Sequence, residues 1–138
     1  MNIIKETEVA YVTERTSRNW IGIAREGLTY EEFDQLYKVA PFNLSDWARI
    51  LDLSERSLQR YQKNGGRFSM AVSEKLLMIG YLFNRGEDIF GEKERFFLWL
   101  ARPSAALDGR RPFELMDSMF GLQLIQDELG RIEHGILA

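Results

Sequence analysis

The sequence predicts an all-α protein, on three observations. Apolar residues recur at helical spacing along most of the chain, as at Leu76, Ile79, Gly80 and Phe83, which fall at i, i+3, i+4 and i+7. Only three prolines, Pro41, Pro103 and Pro112, interrupt the 138 residues. No window sustains the alternation that a half-buried strand requires.

Each element has its own signal. An early helix is expected from Ser17, as N-cap, to Glu26, with Gly27 as its stop. Thr29 and Glu32 have capping-box spacing and open a helix to Val39, which Pro41 closes. Two short helices follow, Ser45–Leu51 and Ser54–Lys63, the second ended by Gly65-Gly66. A longer helix starts after Ser69. Gly86 and Gly91 are expected to bracket a turn, and Glu92–Ala101 forms a helix carrying Phe96, Trp99 and Leu100. Arg102–Arg111 reads as a loop. Pro112 opens a helix marked by Phe113, Met116 and Phe120, and Leu122, Ile125, Leu129 and Ile132 continue a buried stripe. The Asn64-Gly65-Gly66 interruption sets an expected boundary between an N-terminal helical unit, residues 1–67, and a C-terminal unit, residues 68–138. Residues 1–16 carry no motif that assigns them a role.

Composition narrows the function classes. With 45% hydrophobic and 28% charged residues, the chain has material for a core. Eighteen Lys and Arg against 21 Asp and Glu give a net charge of −3, so nucleic acid would have to be held by a local patch. With no cysteine, disulfides, thiolate nucleophiles, iron–sulfur clusters and Cys-based zinc sites are excluded. A single histidine, His134, leaves no parts for a His-rich metal site, and neither a metal nor a cofactor is expected. The opening residues MNIIKETEVA do not read as a secretion signal. The run Leu76–Phe83 is far short of the roughly 20 residues a spanning helix needs. A cytoplasmic protein with no membrane association is expected.

Residues 44–63 read as a helix-turn-helix. Trp47, Ile50 and Leu51 share one face of the first helix, Leu58 and Tyr61 form the inward face of the second, and small Ala48 stands where the two would approach. The outward face of the second helix then offers Ser54, Arg56, Ser57, Gln59, Arg60 and Lys63 to DNA. Arginine pairs with guanine, Gln59 with adenine, and the serines with base or phosphate. Arg67, beyond the helix, suits a backbone phosphate. Arg49, Arg56, Arg60, Lys63 and Arg67 outnumber Asp46, Asp52 and Glu55 here, a modest basic patch in an acidic chain. Asp52 occupies the turn position often held by glycine, and Glu55 would repel phosphate unless it reads a cytosine amino group. The competing reading is a plain pair of amphipathic helices with a solvated charged face.

The C-terminal stretch carries Phe90-Gly91, Trp99-Leu100, Pro103, Leu107, Gly109-Arg110-Arg111-Pro112, Leu115, Gly121 and Leu129-Gly130-Arg131-Ile132-Glu133-His134-Gly135. On these residues, Leu76–Ala138 resembles the toxin-binding domain of the Xre/MbcA/ParS-type antitoxins, and the preceding helix-turn-helix has the order found in that family. The resemblance implies a type II antitoxin whose partner is a RES-domain toxin that degrades NAD. It further implies repression of the shared promoter through operator DNA, and self-association as a dimer or higher. The residues expected to face the toxin are Arg110, Arg111, Arg131, Glu133, His134, Gly135, Leu137 and Ala138. From Pro112 onward five acids stand against Arg131 alone, which suits an electropositive, pyrophosphate-holding cleft. The end of the chain, Gly130–Ala138, is therefore expected to cover that cleft, with Gly130 and Gly135 letting backbones approach.

Other readings of the same residues are plainer. Gly109–Pro112 could be a loop with two solvated arginines, and Phe96, Phe97 and Trp99 could be core or a self-association surface. His134 lies beside Glu133 and near Asp127 and Glu128, but no nucleophile motif or phosphate-cradling loop accompanies it, so catalysis is not expected. Besides the antitoxin, the sequence admits a stand-alone dimeric repressor without a toxin partner, or an interaction adaptor with a vestigial helix-turn-helix.

Overall fold

The computed structural model describes residues 14–137, with side chains from 19 to 135. Among these residues there are seven α-helices: α1 Glu14–Glu26, α2 Tyr30–Val39, α3 Leu44–Leu51, α4 Glu55–Asn64, α5 Met70–Phe90, α6 Lys93–Leu100 and α7 Met119–Leu137. Two 3-10 turns, Ala105–Leu107 and Pro112–Leu115, lie between α6 and α7. No strand occurs among the described residues, only isolated bridges at Thr29–Arg67 and Ser104–Arg110. The all-α expectation holds.

Packing divides the chain into two compact units that meet at Tyr81 and Leu82, inside α5. The boundary expected at 67/68 falls in the loop that precedes that helix.

In the first unit the caps follow the sequence. Thr29 Oγ1 accepts from the Glu32 amide while Glu32 Oε1 accepts from the Thr29 amide, closing the predicted capping box of α2. Helix α1 begins at Glu14 rather than at an N-cap on Ser17, so Ser17 lies within it. Its stop is as expected: Gly27 adopts φ +90°, and a Cβ there would sit 2.5 Å from the Phe68 carbonyl oxygen. The core centres on Phe33, whose ring meets Trp47 edge-on at 5.2 Å and Phe68 at 5.9 Å. Leu28, Leu36, Ile50, Leu58 and Leu76 are fully buried around it.

The second unit corrects two expectations. Gly86 does not turn the chain; α5 runs through it to Phe90, and Gly91 alone, at φ +87°, ends the helix. Gly86 is present because the Phe96 ring lies against the helix backbone, where a Cβ would come within 2.3 Å of it. The single helix expected from Pro112 is instead a 3-10 turn over Pro112–Leu115, a reversal, and then α7. Ser118 Oγ accepts from the Gly121 amide at 2.9 Å and so caps α7. Gly121 is packed so closely on the turn that a Cβ would overlap the Leu115 carbonyl oxygen at 1.7 Å. Leu122, Ile125 and Leu129 form the buried stripe of α7, while Phe120, expected to share the inward face of the preceding residues, is 88% exposed. The loop after α6 is closed rather than open: the Ser104 amide donates to the Arg110 carbonyl and the Gly109 amide to the Ser104 carbonyl.

Candidate functional site

Two surfaces carry the residues singled out by sequence. The first is the pair α3 and α4. Asn43 and Asp46 form a reciprocal capping box at the start of α3, with bonds of 2.8 and 2.9 Å. The helix ends on Asp52 in the left-handed region, φ 54° and ψ 46°. The Leu53 amide bonds back to the Ala48 carbonyl and the Asp52 amide to the Arg49 carbonyl, the two bonds of a Schellman turn. The three-residue connection between the two short helices, Asp52 to Ser54, is thereby fixed without glycine. Lys75 Nζ, donating to the Ile50 carbonyl at 2.8 Å, holds the same helix end from α5.

Helix α4 is then presented with Leu58 fully buried and its opposite face in solvent. Arg56, Gln59, Arg60 and Lys63 are exposed, and Ser57 is half-buried. Ser54 is spent largely on the helix itself: its Oγ accepts from the Ser57 amide at 3.0 Å and donates to Ser57 Oγ at 2.9 Å. The Ser57 hydroxyl keeps its own proton for a further acceptor. Glu55 is exposed at the helix start. Arg67 does not extend the patch as expected. Its Nη1 donates to the Gly27 carbonyl at 2.7 Å and its Nη2 lies 3.5 Å from Glu26, so it closes the end of α1.

The second surface lies in the C-terminal unit. Arg110 is exposed at the end of the closed loop. Arg111 is turned to local work: its Nε donates to Glu114 at 3.1 Å, and its guanidinium stands 5.9 Å from the Phe113 ring centre. Arg131, Glu133, His134 and Gly135 all fall on the last turns of α7, which are helical rather than an extended tail. Arg131 Nε donates to Glu128 at 2.8 Å, Glu133 lies 3.8 Å from Arg85 Nε, and His134 and Gly135 are exposed. The side chain of Leu137, and Ala138 altogether, lie outside the described residues.

Gly130 admits a neighbour, as expected, but the neighbour is internal. Arg85 crosses over it, 3.3 Å from where a Cβ would be, and donates from Nη1 to the Gln126 carbonyl at 3.2 Å. At Gly135, within the same helix, nothing lies within 4 Å of where a Cβ would be. Arg85 was missed by sequence reasoning, although a signal existed: it is the one basic residue between Lys75 and Lys93. The exposed Phe120 and Leu124 on α7 were missed because helical spacing identifies an apolar stripe without saying which side the protein covers.

No helix among the described residues is long and apolar enough to cross a membrane, and no group of residues there could hold a metal ion.

Comparison with known proteins bears on the second surface first. Residues 85–135 match the family described as the antitoxin Xre/MbcA/ParS C-terminal toxin-binding domain. The match begins at Arg85 and ends at Gly135. Over 117 residues, 84% of the chain and 79% of the relative, the sequence is 28% identical to an Antitoxin Xre of Photorhabdus laumondii. An Antitoxin Xre of Yersinia enterocolitica is 26% identical over 113 residues, 81% of the chain and 76% of that protein. A Sphingobium protein named Prs ADP-ribosylating antitoxin is 24% identical over 127 residues, 86% of the chain and 80% of its own length. These similarities run well beyond the C-terminal unit and over α3 and α4, and with the domain match they support an Xre-type antitoxin.

Proposed function

We propose that this antitoxin neutralises a cognate NAD-consuming toxin of the RES type by covering its active-site cleft with the last turns of α7, and represses its own operon through α4. The observation that carries the first half is the charge on the stretch from Pro112 onward. Five acids against one arginine follow Pro112, while a cleft that binds a dinucleotide pyrophosphate must be electropositive. A relative's name joins an antitoxin to ADP-ribosylation, a reaction that consumes NAD. In this reading Arg131, Glu133, His134, Gly135, Leu137 and Ala138 meet the toxin, and Arg110 and Arg111 flank the contact. The chain acts by binding rather than by catalysis.

The second half rests on the exposed face of α4. Arg56, Ser57, Gln59, Arg60 and Lys63 are held on a helix whose opposite side is anchored by Leu58, the arrangement needed to reach base edges in a major groove. Ser54 contributes as the cap that orients them. One such helix reads too little sequence alone, so a dimer on a two-fold operator, acting in the cytoplasm, is part of the proposal. So is a division of labour at residue 67/68 between DNA reading and toxin holding.

Removal of residues 130–138 tests the toxin half. The fully buried residues of α7 end at Leu129, so the shortened chain should keep its helical circular dichroism. Co-expressed with the product of the neighbouring reading frame, it should fail to prevent loss of cellular NAD. Full protection by the shortened chain would refute the cleft-covering role.

A further inference from the structure

A cleft in the first unit is used by neither half of the proposed function. It opens between the end of α1, the start of α2 and Arg67 in the loop after α4, and has a volume of about 520 Å³, the size of a small-molecule site. It lies wholly outside the matched residues 85–135. Backbone pairing fixes its walls. Thr29 and Arg67 form an isolated bridge, the Phe68 amide donates to the Leu28 carbonyl at 2.9 Å, and the Leu28 amide donates to Ser73 Oγ at 2.9 Å. A ligand would enter a shape already made.

The lining is acidic. Glu26, Glu31 and Glu32 stand against Arg67, the one cation among the lining residues. That guanidinium is already engaged, with Nη1 on the Gly27 carbonyl and Nη2 near Glu26. Glu32 differs from the other two acids in being buried, at 7% exposed. It closes the cap of α2 with Oε1 alone, which accepts from the Thr29 amide at 3.0 Å and the Thr29 hydroxyl at 3.2 Å. Its Oε2 is buried and has no hydrogen-bond partner among the described residues. The cap needs one acceptor. A second carboxylate oxygen withdrawn from water and left unpaired costs free energy that the cap does not return.

We infer that this cleft binds a small aliphatic diamine or polyamine, with one ammonium group on Glu32 Oε2, methylenes against Ile23 and a further ammonium on the exposed rim acids Glu26 and Glu31. The lining selects that class. An ammonium group carries donors and no acceptor, which suits carboxylate oxygens, whereas an anion would meet three carboxylates. A metal ion requires ligands that converge on one point, and no group of described residues could hold one. Acids spaced too widely to share an ion suit a chain that carries its charges at separate points, and a single ion would fill little of the volume. The inference does not depend on the antitoxin reading.

The test titrates the full chain with putrescine and with spermidine by calorimetry and follows the thermal unfolding midpoint. Saturable binding at a single site is expected, with a midpoint that rises as ligand is added. Glu32→Gln keeps an oxygen for the Thr29 cap and loses the charge. Its affinity should fall at least about tenfold, with helical circular dichroism unchanged. Glu31→Gln, on the exposed rim, should weaken binding about two- to fivefold. Glu74→Gln removes an exposed acid of α5 outside the lining and should leave binding as it was. Full affinity in Glu32→Gln would overturn the inference, as would no saturable binding up to about 10 mM amine. So would equal losses in Glu31→Gln and Glu74→Gln, or displacement by equimolar Mg2+, since the amine would then be held by diffuse attraction to an acidic protein. If Glu32→Gln does not fold, an unweakened Glu31→Gln overturns the inference in its place.

Discussion

Gly86 and Gly121 are defined by what lies against them. A methyl group at Gly86 would enter the Phe96 ring, and at Gly121 it would strike the Leu115 carbonyl. Gly86→Ala should therefore lower stability by about 1–3 kcal/mol despite alanine's better helix propensity, seen as a fall in the thermal unfolding midpoint. Gly121→Ala should cost more, because backbone cannot swing aside as a ring can. Asp52 is the opposite case. At φ 54° it bears a conformational cost that glycine avoids, so Asp52→Gly should raise stability by up to about 1 kcal/mol, read as a higher denaturant midpoint. Of these three positions only Asp52 was legible in the sequence, since a turn demands a backbone angle that residue type reports. The role of Gly86 depends on Phe96, ten positions away, and a glycine alone does not distinguish a turn from a close approach.

At the level of elements, caps were easier to read than interruptions. Thr29 with Glu32, Ser54, Gly27 and Gly65 mark helix ends through local chemistry, and each was placed from sequence. The division of the 112–137 stretch into a 3-10 turn and α7 was not, because Ser118 is an ordinary residue until its hydroxyl is seen on the Gly121 amide. For α4 the legible part was the face. Arg56, Gln59 and Arg60 project from it as spacing foretold, whereas Arg67, assigned to phosphate by charge alone, is bound to Gly27 and Glu26. The combined change Arg56→Ala and Arg60→Ala should reduce affinity for upstream promoter DNA by at least about tenfold and lessen the steepness of its salt dependence, in a gel-shift titration across ionic strengths. Arg67→Ala should leave that slope unchanged and instead lower thermal stability. Equal DNA binding by the double variant would favour an interaction adaptor over a repressor.

Taken as a whole, the molecule joins a unit built around Phe33 to one built around Phe83 and Phe96. Arg85 ties α5 to α7 within the second of these. It spans Gly130, the Gln126 carbonyl and Glu133, so Arg85→Ala should loosen the end of α7 and speed amide hydrogen exchange there before the rest of the unit responds. The all-α class and the resemblance of the C-terminal stretch to the antitoxin domain were readable because they rest on several separated motifs. The geometry of the candidate toxin surface was not, because it depends on which side of α7 the rest of the chain covers. The continuity of α5 has a practical bearing on how such a protein can be rebuilt. Its first turns complete one core and its last turns the other, and a helix cut midway loses the backbone bonds on both sides of the cut. Neither unit can be lent to another protein with its own parts alone: whoever transplants the first must carry across all of α5, including the turns that complete the second core.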